Sequence, residues 1–226
     1  MTIAMVLAAG RGERLKPLTD KVPKALVEVG GTSLIERQLV RLSDAGVTTV
    51  VINLGWLGEA IVERIGDGSR FGLQVVYSPE YDEVLETGGG IRRALPLLGR
   101  DPFWVVNSDV FTDIALSPAE LAPGCSGHLV LVPVPPHRPR GDFDLVDGKV
   151  CRSAQPAFTF SGMAIYRPEL FENEEVRRFP LAPLLFAAAE RGELSGELFE
   201  GVWEDVGTVE RLERLNARAT LHAQTP

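Results

Sequence analysis

A short loop near the start of the chain combines residues that bind phosphate groups. Gly10 and Gly12 flank Arg11 shortly after the apolar run 3–8, and Arg14 lies two residues after Gly12. Glycines let backbone N–H groups approach an anion closely, and the guanidinium group of arginine donates paired hydrogen bonds to phosphate oxygens. The loop therefore predicts a site for an oligophosphate.

The spacing of these glycines separates the loop from two common phosphate-binding motifs. Leu15 stands where the third glycine of a dinucleotide fingerprint would fall, and the sequence contains no Walker loop. The pattern therefore disfavours a nicotinamide-dependent oxidoreductase and a P-loop kinase. Because a G-x-G pair alone is often only a turn, the functional interpretation needs support from other residues.

The loop is also a local exception to the acidic character of the chain. The protein has 226 residues and a formal net charge of −8, which argues against a nucleic-acid partner because such a partner needs a basic face. Between residues 10 and 24, however, cationic side chains outnumber acidic ones. The cationic residues are Arg11, Arg14, Lys16, Lys21 and Lys24, and the acidic ones are Glu13 and Asp20. This local excess predicts a small anionic ligand.

Two aspartates near predicted strands could hold a metal ion. Asp109 follows the apolar strand 103–107, and Asp205 lies in the short segment 202–205. Mg²⁺ prefers hard oxygen ligands, and proteins usually hold it with one or two carboxylates together with substrate phosphates. Aspartates in such places also serve as turn residues and helix caps. The residue types alone leave both interpretations open.

The first half of the chain alternates strand and helix patterns, which would position these residues. Strands are predicted at 3–8, 50–52, 73–77 and 103–107. Helices are predicted at 34–42 with Ser33 as N-cap, at 57–65, and at 91–98 after a Gly-rich turn at 88–90. This alternation predicts an α/β fold with a doubly wound sheet, whose ligands bind at the carboxyl ends of strands near a switch in strand order. The Gly10 loop and Asp109 should therefore converge.

The second half is less regular and predicts additional antiparallel strands. The predicted elements are strands at 128–134 and 159–166, a hairpin turn at Asp147-Gly148, and helices at 181–191 and 209–219. Cys125 and Cys151 have neither metal-ligand nor disulfide spacing. No window is apolar enough to cross a bilayer, so we expect a cytoplasmic protein with no membrane partner.

Three segments at the start of the chain carry a family signature. Residues 7–15, 17–19 and 23–27 together resemble the signature of the sugar-1-phosphate nucleotidyltransferases. The resemblance implies an enzyme that transfers a nucleotidyl group from a nucleoside triphosphate to a sugar 1-phosphate and releases pyrophosphate. It also implies Mg²⁺ as the cofactor.

The resemblance further implies one Rossmann-like domain over residues 1–226, with the mixed sheet of the GT-A-like type. Residues 1–110 would form the nucleotide-binding half and residues 111–226 the sugar-phosphate-binding half. We expect a monomer or a small homo-oligomer.

The same resemblance assigns roles to individual residues around the phosphate loop. Arg14 and Lys24 would neutralise the triphosphate, with Lys24 near the reacting α-phosphate, and both would be catalytic. The implied nucleotide-binding residues are Ala8, Ala9, Gly10, Arg11, Gly12, Glu13, Lys24, Gly88, Gly89 and Asn107.

The two aspartates receive the metal-binding role by resemblance. Family members carry N-G-D or G-G-D at the first place and W-x-D-x-G-T at the second, which match Asp109 and Asp205, and both would also count as catalytic. Ser108 replaces the middle glycine of the first motif. If that position required a positive φ, serine would cost on the order of 1 kcal/mol.

Several stretches resemble one branch of the family, the uridylyltransferases that act on N-acetylmuramate 1-phosphate. They are residues 52–58, 66–72, 85–91, 141–143, 159–162 and 181–185. This branch implies UTP and N-acetylmuramate α-1-phosphate as substrates, in cell-wall sugar recycling. Asp142 would contact the sugar, and Gly141, Ser161 and Gly162 would line the same site.

Two alternatives stay open at the level of sequence. A mannose-1-phosphate guanylyltransferase, or another member acting with GTP, dTTP or CTP, would share every phosphate and metal residue. A non-catalytic nucleotide-sensing module would be expected to have lost Lys24 or one aspartate, whereas Lys24, Asp109 and Asp205 are all present.

Overall fold

The computed structural model describes residues 2–81, 83–117 and 119–223. The strands in these ranges are β1 Ile3–Leu7, β2 Glu28–Val29, β3 Thr32–Ser33, β4 Thr49–Leu54, β5 Gln74–Pro79, β6 Phe103–Asn107, β7 Val110–Thr112, β8 Gly127–Pro133, β9 Asp144–Val146, β10 Lys149–Cys151, β11 Phe158–Tyr166, β12 Leu194–Leu198 and β13 Trp203–Asp205. The α-helices are α1 Leu34–Asp44, α2 Gly58–Ile65, α3 Glu86–Leu98, α4 Leu181–Glu190 and α5 Val209–Ala223. Short 3₁₀ helices include Glu13–Leu15, Leu18–Asp20 and Lys24–Leu26.

Nine strands form one mixed sheet in the order β5-β4-β1-β6-β11-β8-β12-β10-β9. The strands β5, β4, β1 and β6 are mutually parallel, as the alternating first half predicts. The second half adds antiparallel pairs at β6–β11, β11–β8, β12–β10 and β10–β9, with one parallel pair between β8 and β12. The predicted α/β fold in a single domain is therefore confirmed.

The sheet is covered by helices on both faces because its central strands are apolar on both sides. Successive strand side chains point to opposite faces. Ala4 and Val6 of β1 pack in the layer that contains residues of α1 and α2, whereas Met5 packs in the layer that contains residues of α3 and α4. The doubly wound arrangement follows from this two-sided burial.

The change in strand order lies beside β1, which has β4 on one side and β6 on the other. Leu7 and Asn107 are register partners, so the carboxyl ends of β1 and β6 stand next to each other. The Ser108 N–H donates to the Leu7 carbonyl at 3.1 Å. The predicted convergence of the Gly10 loop and Asp109 is confirmed.

Helix α1 begins at the predicted N-cap and carries a buried carboxylate. Ser33 and Glu36 form a capping box in which the Glu36 N–H donates to the Ser33 hydroxyl oxygen and Glu36 Oε2 accepts from the Ser33 N–H. Arg64 and Arg70 also donate to Glu36, at 3.0 and 2.6 Å. Burial by itself raises the pKa of Glu36, but the hydrogen bonds from Arg64 and Ser33 outweigh it and lower the pKa to about 2.

This carboxylate predicts a specific loss of stability in acid. Because the folded protein holds Glu36 ionised below the usual pKa of 4.5, its contribution is fully present above pH 4.5 and is lost as the pH falls toward 2. The shift corresponds to at most about 3.5 kcal/mol of unfolding free energy. Urea unfolding across this range should show a shallower acid dependence for Glu36→Gln than for the wild type. Parallel acid curves for the two proteins would contradict the assignment.

The Gly-rich turn predicted at 88–90 is wrong, because these glycines lie inside the first turns of α3. A Cβ on Gly88 would stand 2.3 Å from a Phe179 ring carbon, and one on Gly89 would stand 2.1 Å from the Arg177 carbonyl oxygen. Gly88 and Gly89 therefore serve close packing of the helix against the chain at 177–179, and Gly90 leaves room for the side chains of Glu80 and Asn53. This packing offsets the low helix propensity of glycine.

Gly89→Ala should destabilise the fold by about 1–3 kcal/mol, because the new methyl group meets backbone that cannot move aside. For a domain of this size the melting temperature should fall by about 2–4 °C for each kcal/mol. Gly10→Ala is the matched control, since its Cβ would have no atom within 4 Å. Equal melting temperatures for the two variants would show that the packing at Gly89 is not restrictive.

Three further parts of the fold had no clear prediction. The hairpin of β2 and β3, the short strand β7 and the strand β12 all lack the apolar runs that revealed the other strands. The hairpin turn predicted at Asp147-Gly148 is confirmed between β9 and β10, where both residues have positive φ. Among the described residues, no helix has both the length and the apolar character needed to span a membrane.

Candidate active site

Two cavities meet at the carboxyl edge of the parallel strands. The first, of about 180 Å³, is lined by residues 7–10, Lys24 and residues from the start of α3. The second, of about 320 Å³, lies between β11, α4 and β13. Thr87, Asn107 and Asp109 line both cavities. The two cavities can therefore hold two ligands whose ends approach each other at Asp109.

The loop after β1 is held in shape by contacts at its far end. Gly12 has φ +64°, and a Cβ there would stand 2.9 Å from the Thr19 methyl carbon. The Thr19 hydroxyl donates to the Gly12 carbonyl at 2.9 Å, and the Trp56 indole N–H donates to the Thr19 carbonyl at 2.9 Å. The Arg11 guanidinium stacks 4.9 Å from the centroid of the Trp56 ring. The glycine at position 12 is thus required by both conformation and space.

Lys24 and Asp109 form an ion pair where the two cavities join. Lys24 is 13 % exposed and Asp109 29 % exposed, so the pair is partly shielded from water. A Cβ on Gly12 would stand 3.1 Å from Lys24 Cβ, so the glycine leaves room for the lysine stem. Lys24 lines the first cavity, which brings its charge to the predicted phosphate site.

Ser108 does not strain the turn that carries Asp109. Among the described residues, the non-glycine positions with positive φ are Leu57, Glu86 and Asp147. Serine therefore replaces the glycine of the family motif at no conformational cost. Because φ at position 108 is not positive, the strain that a positive φ would cause does not arise.

Asp205 reaches Asp109 through a small two-stranded sheet. β13 pairs antiparallel with β7, with Asp205 opposite Val110, and the Val206 N–H donates to the Asp109 carbonyl at 2.9 Å. The buried Gln38 side chain on α1 donates to the Val110 carbonyl at 2.6 Å and holds this sheet against the main domain. The structure thus brings together two aspartates from distant parts of the sequence.

Asp205 is held by cationic or ionisable side chains from two directions. Arg211 of α5 donates to Asp205 Oδ1 at 2.6 Å, and His137 Nε2 lies 3.5 Å from the same oxygen. Burial and the positive charge of Arg211 lower the pKa of His137, although Asp205 opposes the shift. A Cβ on Gly207 would stand 3.1 Å from both Arg14 Nη2 and Asp205 Oδ2. Arg14 therefore also lies in this corner of the second cavity, beside Asp205 and Gly207.

The two carboxylates fit a hard metal ion. Asp109 Oδ2 and Asp205 Oδ1 are paired with cations, whereas the second oxygen of each has no partner within the described residues. No group of three or more His, Cys, Asp or Glu residues with metal-binding geometry occurs in that part of the chain. A cation here would therefore take its other ligands from substrate phosphates or water, which is the usual situation for Mg²⁺.

A buried polar network that the sequence did not reveal supports the first cavity. The Asn53 carbonyl oxygen accepts from the Ala8 N–H at 2.7 Å, and its amide donates to Glu80 Oε1 at 2.8 Å. Glu80 Oε2 accepts from the Leu85 N–H at 3.0 Å. Burial raises the pKa of Glu80, against the opposing hydrogen bonds from Leu85 and Asn53. This network ties the loop after β1 to the start of α3.

Three of the four residues assigned to the sugar site line the second cavity, and Gly141 lies outside its lining. Asp142, Ser161 and Gly162 line it, and the backbone of Gly141 packs so closely that a Cβ would stand 2.4 Å from the Phe158 carbonyl oxygen. Gly162 has φ +83°, and a Cβ there would stand 2.5 Å from the Asn107 amide. Glycine at this place lets β11 approach the end of β6.

Several residues predicted to bind nucleotide lie outside the lining of both cavities. Gly88 and Gly89 are buried, and both of their N–H groups donate to the Phe179 carbonyl, so they are not available to a ligand. Glu86 and Thr87 line the first cavity in their place. Glu13 is exposed and pairs with Lys16 at 2.8 Å. Arg11 and Gly12 shape the loop, whereas Ala8, Ala9, Gly10 and Asn107 line the first cavity, and their role in nucleotide binding stays a prediction.

The sequence of the chain matches a known family. The nucleotidyl transferase family model matches residues 3–125, which is more than half of the chain. The chain therefore belongs to the nucleotidyl transferase family, and the predicted relation to the sugar-1-phosphate nucleotidyltransferases is confirmed.

Individual relatives narrow the comparison further. The chain is 48 % identical to the N-acetylmuramate alpha-1-phosphate uridylyltransferase of Neisseria meningitidis serogroup B, over 96 % of this chain and 97 % of the relative. It is 34 % identical to the enzyme of the same name from Caulobacter vibrioides, over 91 % of each chain. A mannose-1-phosphate guanyltransferase from Neurospora crassa is 30 % identical over 90 % of this chain and 60 % of its own length.

The fold also matches solved structures of low sequence identity. A crystal structure of a Bacillus anthracis protein in complex with a sucrose superposes with a TM-score of 0.84 at 21 % identity, covering 96 % of this chain and 95 % of that one. This similarity supports the fold of the present chain.

Proposed function

We propose that the protein transfers a uridylyl group from UTP to N-acetylmuramate α-1-phosphate, giving UDP-N-acetylmuramate and pyrophosphate. The observation that supports the reaction type is the junction of two cavities at Lys24, Asp109 and Asp205. The choice of substrates rests on the 48 % identical relative, which matches nearly end to end. The proposal includes a cytoplasmic reaction in cell-wall sugar recycling, as that branch of the family implies.

In this proposal the triphosphate occupies the first cavity and the sugar 1-phosphate the second. A phosphate oxygen of the sugar 1-phosphate attacks the α-phosphorus of UTP, and the bond to the bridging oxygen of the β-phosphate breaks, so that pyrophosphate leaves with the electron pair. A phosphate monoester has a second pKa near about 6 and is mostly dianionic at neutral pH, so it needs no general base.

The side chains supply position and charge to this transfer. Lys24 neutralises the α-phosphate, and Arg14 binds phosphate oxygens in the corner beside Gly207. Positioning and electrostatic stabilisation are the main sources of rate in phosphoryl transfer. We propose Mg²⁺ as the cofactor, held by Asp109 and Asp205; when bound, it would neutralise phosphate charge and orient the phosphate oxygens.

Pyrophosphate release tests the proposal directly. UTP and Mg²⁺ are combined with N-acetylmuramate α-1-phosphate, and parallel reactions contain N-acetylglucosamine 1-phosphate, glucose 1-phosphate or mannose 1-phosphate. We expect N-acetylmuramate α-1-phosphate to give the highest kcat/KM. Turnover of a different acceptor alone would reject the substrate assignment and leave the reaction type intact.

The second candidate is a mannose-1-phosphate guanylyltransferase, which the 30 % identical relative favours. It would use the same phosphate and metal residues with GTP. Exclusive turnover of GTP with mannose 1-phosphate would establish it. A non-catalytic nucleotide-sensing role is disfavoured by the presence of Lys24 and both aspartates, and any catalytic release of pyrophosphate would eliminate it.

A further inference from the structure

The second cavity presents two permanently cationic side chains, Arg14 and Arg138. Arg14 lies in the corner beside Gly207 and Asp205, where the phosphate of an acceptor would meet the nucleotide. Arg138 lies in a different part of the cavity, paired with Asp142, and the transfer between the phosphates does not require it. A second cation in a sugar site indicates that the acceptor carries a second negative charge.

Arg138 has N–H donors that are available to bind a second negatively charged group of the acceptor. Its Nη1 donates to Asp142 Oδ2 at 2.8 Å, and within the described residues no partner is found for Nε or Nη2. Because the guanidinium group has five N–H donors in a planar fork, it can keep Asp142 and still bind a carboxylate through two parallel hydrogen bonds.

The segment that carries Arg138 is preorganised. Pro135, Pro136 and Pro139 restrict the backbone on both sides, and the Arg138 N–H closes a turn to the Pro135 carbonyl at 2.9 Å. Asp142 is fixed in turn, because its Oδ2 also accepts from the Phe160 N–H at 3.0 Å. The backbone that carries Arg138 and the carboxylate that binds its Nη1 are therefore both held in place by the protein.

Part of the cavity lining is apolar. It is formed by Leu181, Leu185 and Phe186 of α4 together with Phe143, whose ring lies 5.3 Å from that of Phe186. An acceptor that suits this cavity carries both a carboxylate and small apolar groups. The lactyl ether of N-acetylmuramate combines a carboxylate with a methyl group. N-acetylglucosamine lacks this lactyl ether.

We propose that Arg138 binds the lactyl carboxylate of the acceptor and is the residue by which this site distinguishes a muramate from its uncharged counterpart. The inference rests on the proposed function and names the contact that sets its acceptor specificity. Asp142 Oδ1, which has no partner within the described residues, is left to accept a hydrogen bond from a sugar hydroxyl.

The test compares two ligands on two proteins. The ligands are N-acetylmuramate α-1-phosphate and its lactyl methyl ester, which have nearly the same shape but differ by one charge. Wild type should prefer the acid, and Arg138→Gln should raise the KM for the acid by about 10- to 100-fold while changing the KM for the ester by less than about threefold. The kcat values should change little, because Arg138 does not touch the reacting phosphates. Where the ester turns over too slowly, its dissociation constant as a competitive inhibitor gives the same comparison.

Two further variants complete the design. Arg138→Lys should recover part of the preference for the acid, since it retains the charge without the planar fork. Arg140→Gln removes another exposed positive charge from the same segment, at a residue outside the cavity lining, and its acid-to-ester ratio should match wild type.

The outcomes separate this inference from the proposed function. Failure of the wild type to use N-acetylmuramate α-1-phosphate would reject the proposed function and the inference that depends on it. A wild type that uses the acid and the ester equally well, or an Arg138→Gln variant that keeps the full preference for the acid, would overturn the inference and leave the proposed function standing.

Discussion

Asp109→Asn should lower kcat by about a thousandfold while the protein stays folded. The substitution keeps the shape of the side chain but removes the negative charge that pairs with Lys24 and that we propose as a metal ligand. The backbone contacts of the residue are unaffected, because the Val206 N–H donates to its carbonyl and not to its side chain. Pyrophosphate release at saturating substrate and Mg²⁺ measures the effect, and circular dichroism measures the fold.

The control for this variant is Asp101→Asn, which removes one exposed acidic charge outside both cavities. It should retain wild-type kcat. If Asp109→Asn kept more than about a tenth of the wild-type kcat at saturating Mg²⁺, a metal-binding role for this carboxylate could not be maintained.

Lys24→Met should reduce kcat by about 10²- to 10³-fold and raise the KM for UTP. The methionine preserves most of the apolar stem that packs beside Gly12, so the loss reports mainly on the charge. Because Lys24 is only 13 % exposed, water cannot replace the ammonium group efficiently beside Asp109 and a bound triphosphate.

Lys21→Met is the matched control for Lys24→Met, since it removes a lysine of the same loop that is exposed and lines neither cavity.

A double variant that combines Lys24→Met with Asp109→Asn tests whether the two residues act together. Its loss of kcat should be smaller than the product of the two single losses, because Lys24 and Asp109 act as one unit. Strict multiplication of the two effects would show that Lys24 and Asp109 act independently.

The parallel half of the fold was predictable because its signals are local. Strands β1, β4 and β6 consist mainly of apolar runs, β5 contains the shorter apolar stretch 75–77, and α1 has both a capping box and helical spacing. These features depend on a few neighbouring residues. The switch in strand order then follows from the alternation, which is why the sequence alone predicts the meeting of the Gly10 loop with Asp109.

Other features depend on contacts across long separations and leave little trace in the sequence. The residues 88–90 resemble a turn because glycine usually interrupts helices, but the approach of Phe179 to Gly88 and of the Arg177 backbone to Gly89 makes glycine necessary inside α3. The network of Asn53 and Glu80 joins polar residues from separate elements. The capture of Asp205 by Arg211 and His137 had no signal beyond the charges themselves.

The pairing of β7 with β13 makes turnover depend on the attachment of the carboxyl-terminal segment. The two carboxylates meet only after the last strand has joined the short strand that follows β6, whereas the parallel sheet that carries the first cavity lies in the earlier part of the chain. In the finished protein, detachment of the carboxyl-terminal segment would switch turnover off without emptying the first cavity, so loss of activity and loss of nucleotide affinity need not occur at the same concentration of denaturant.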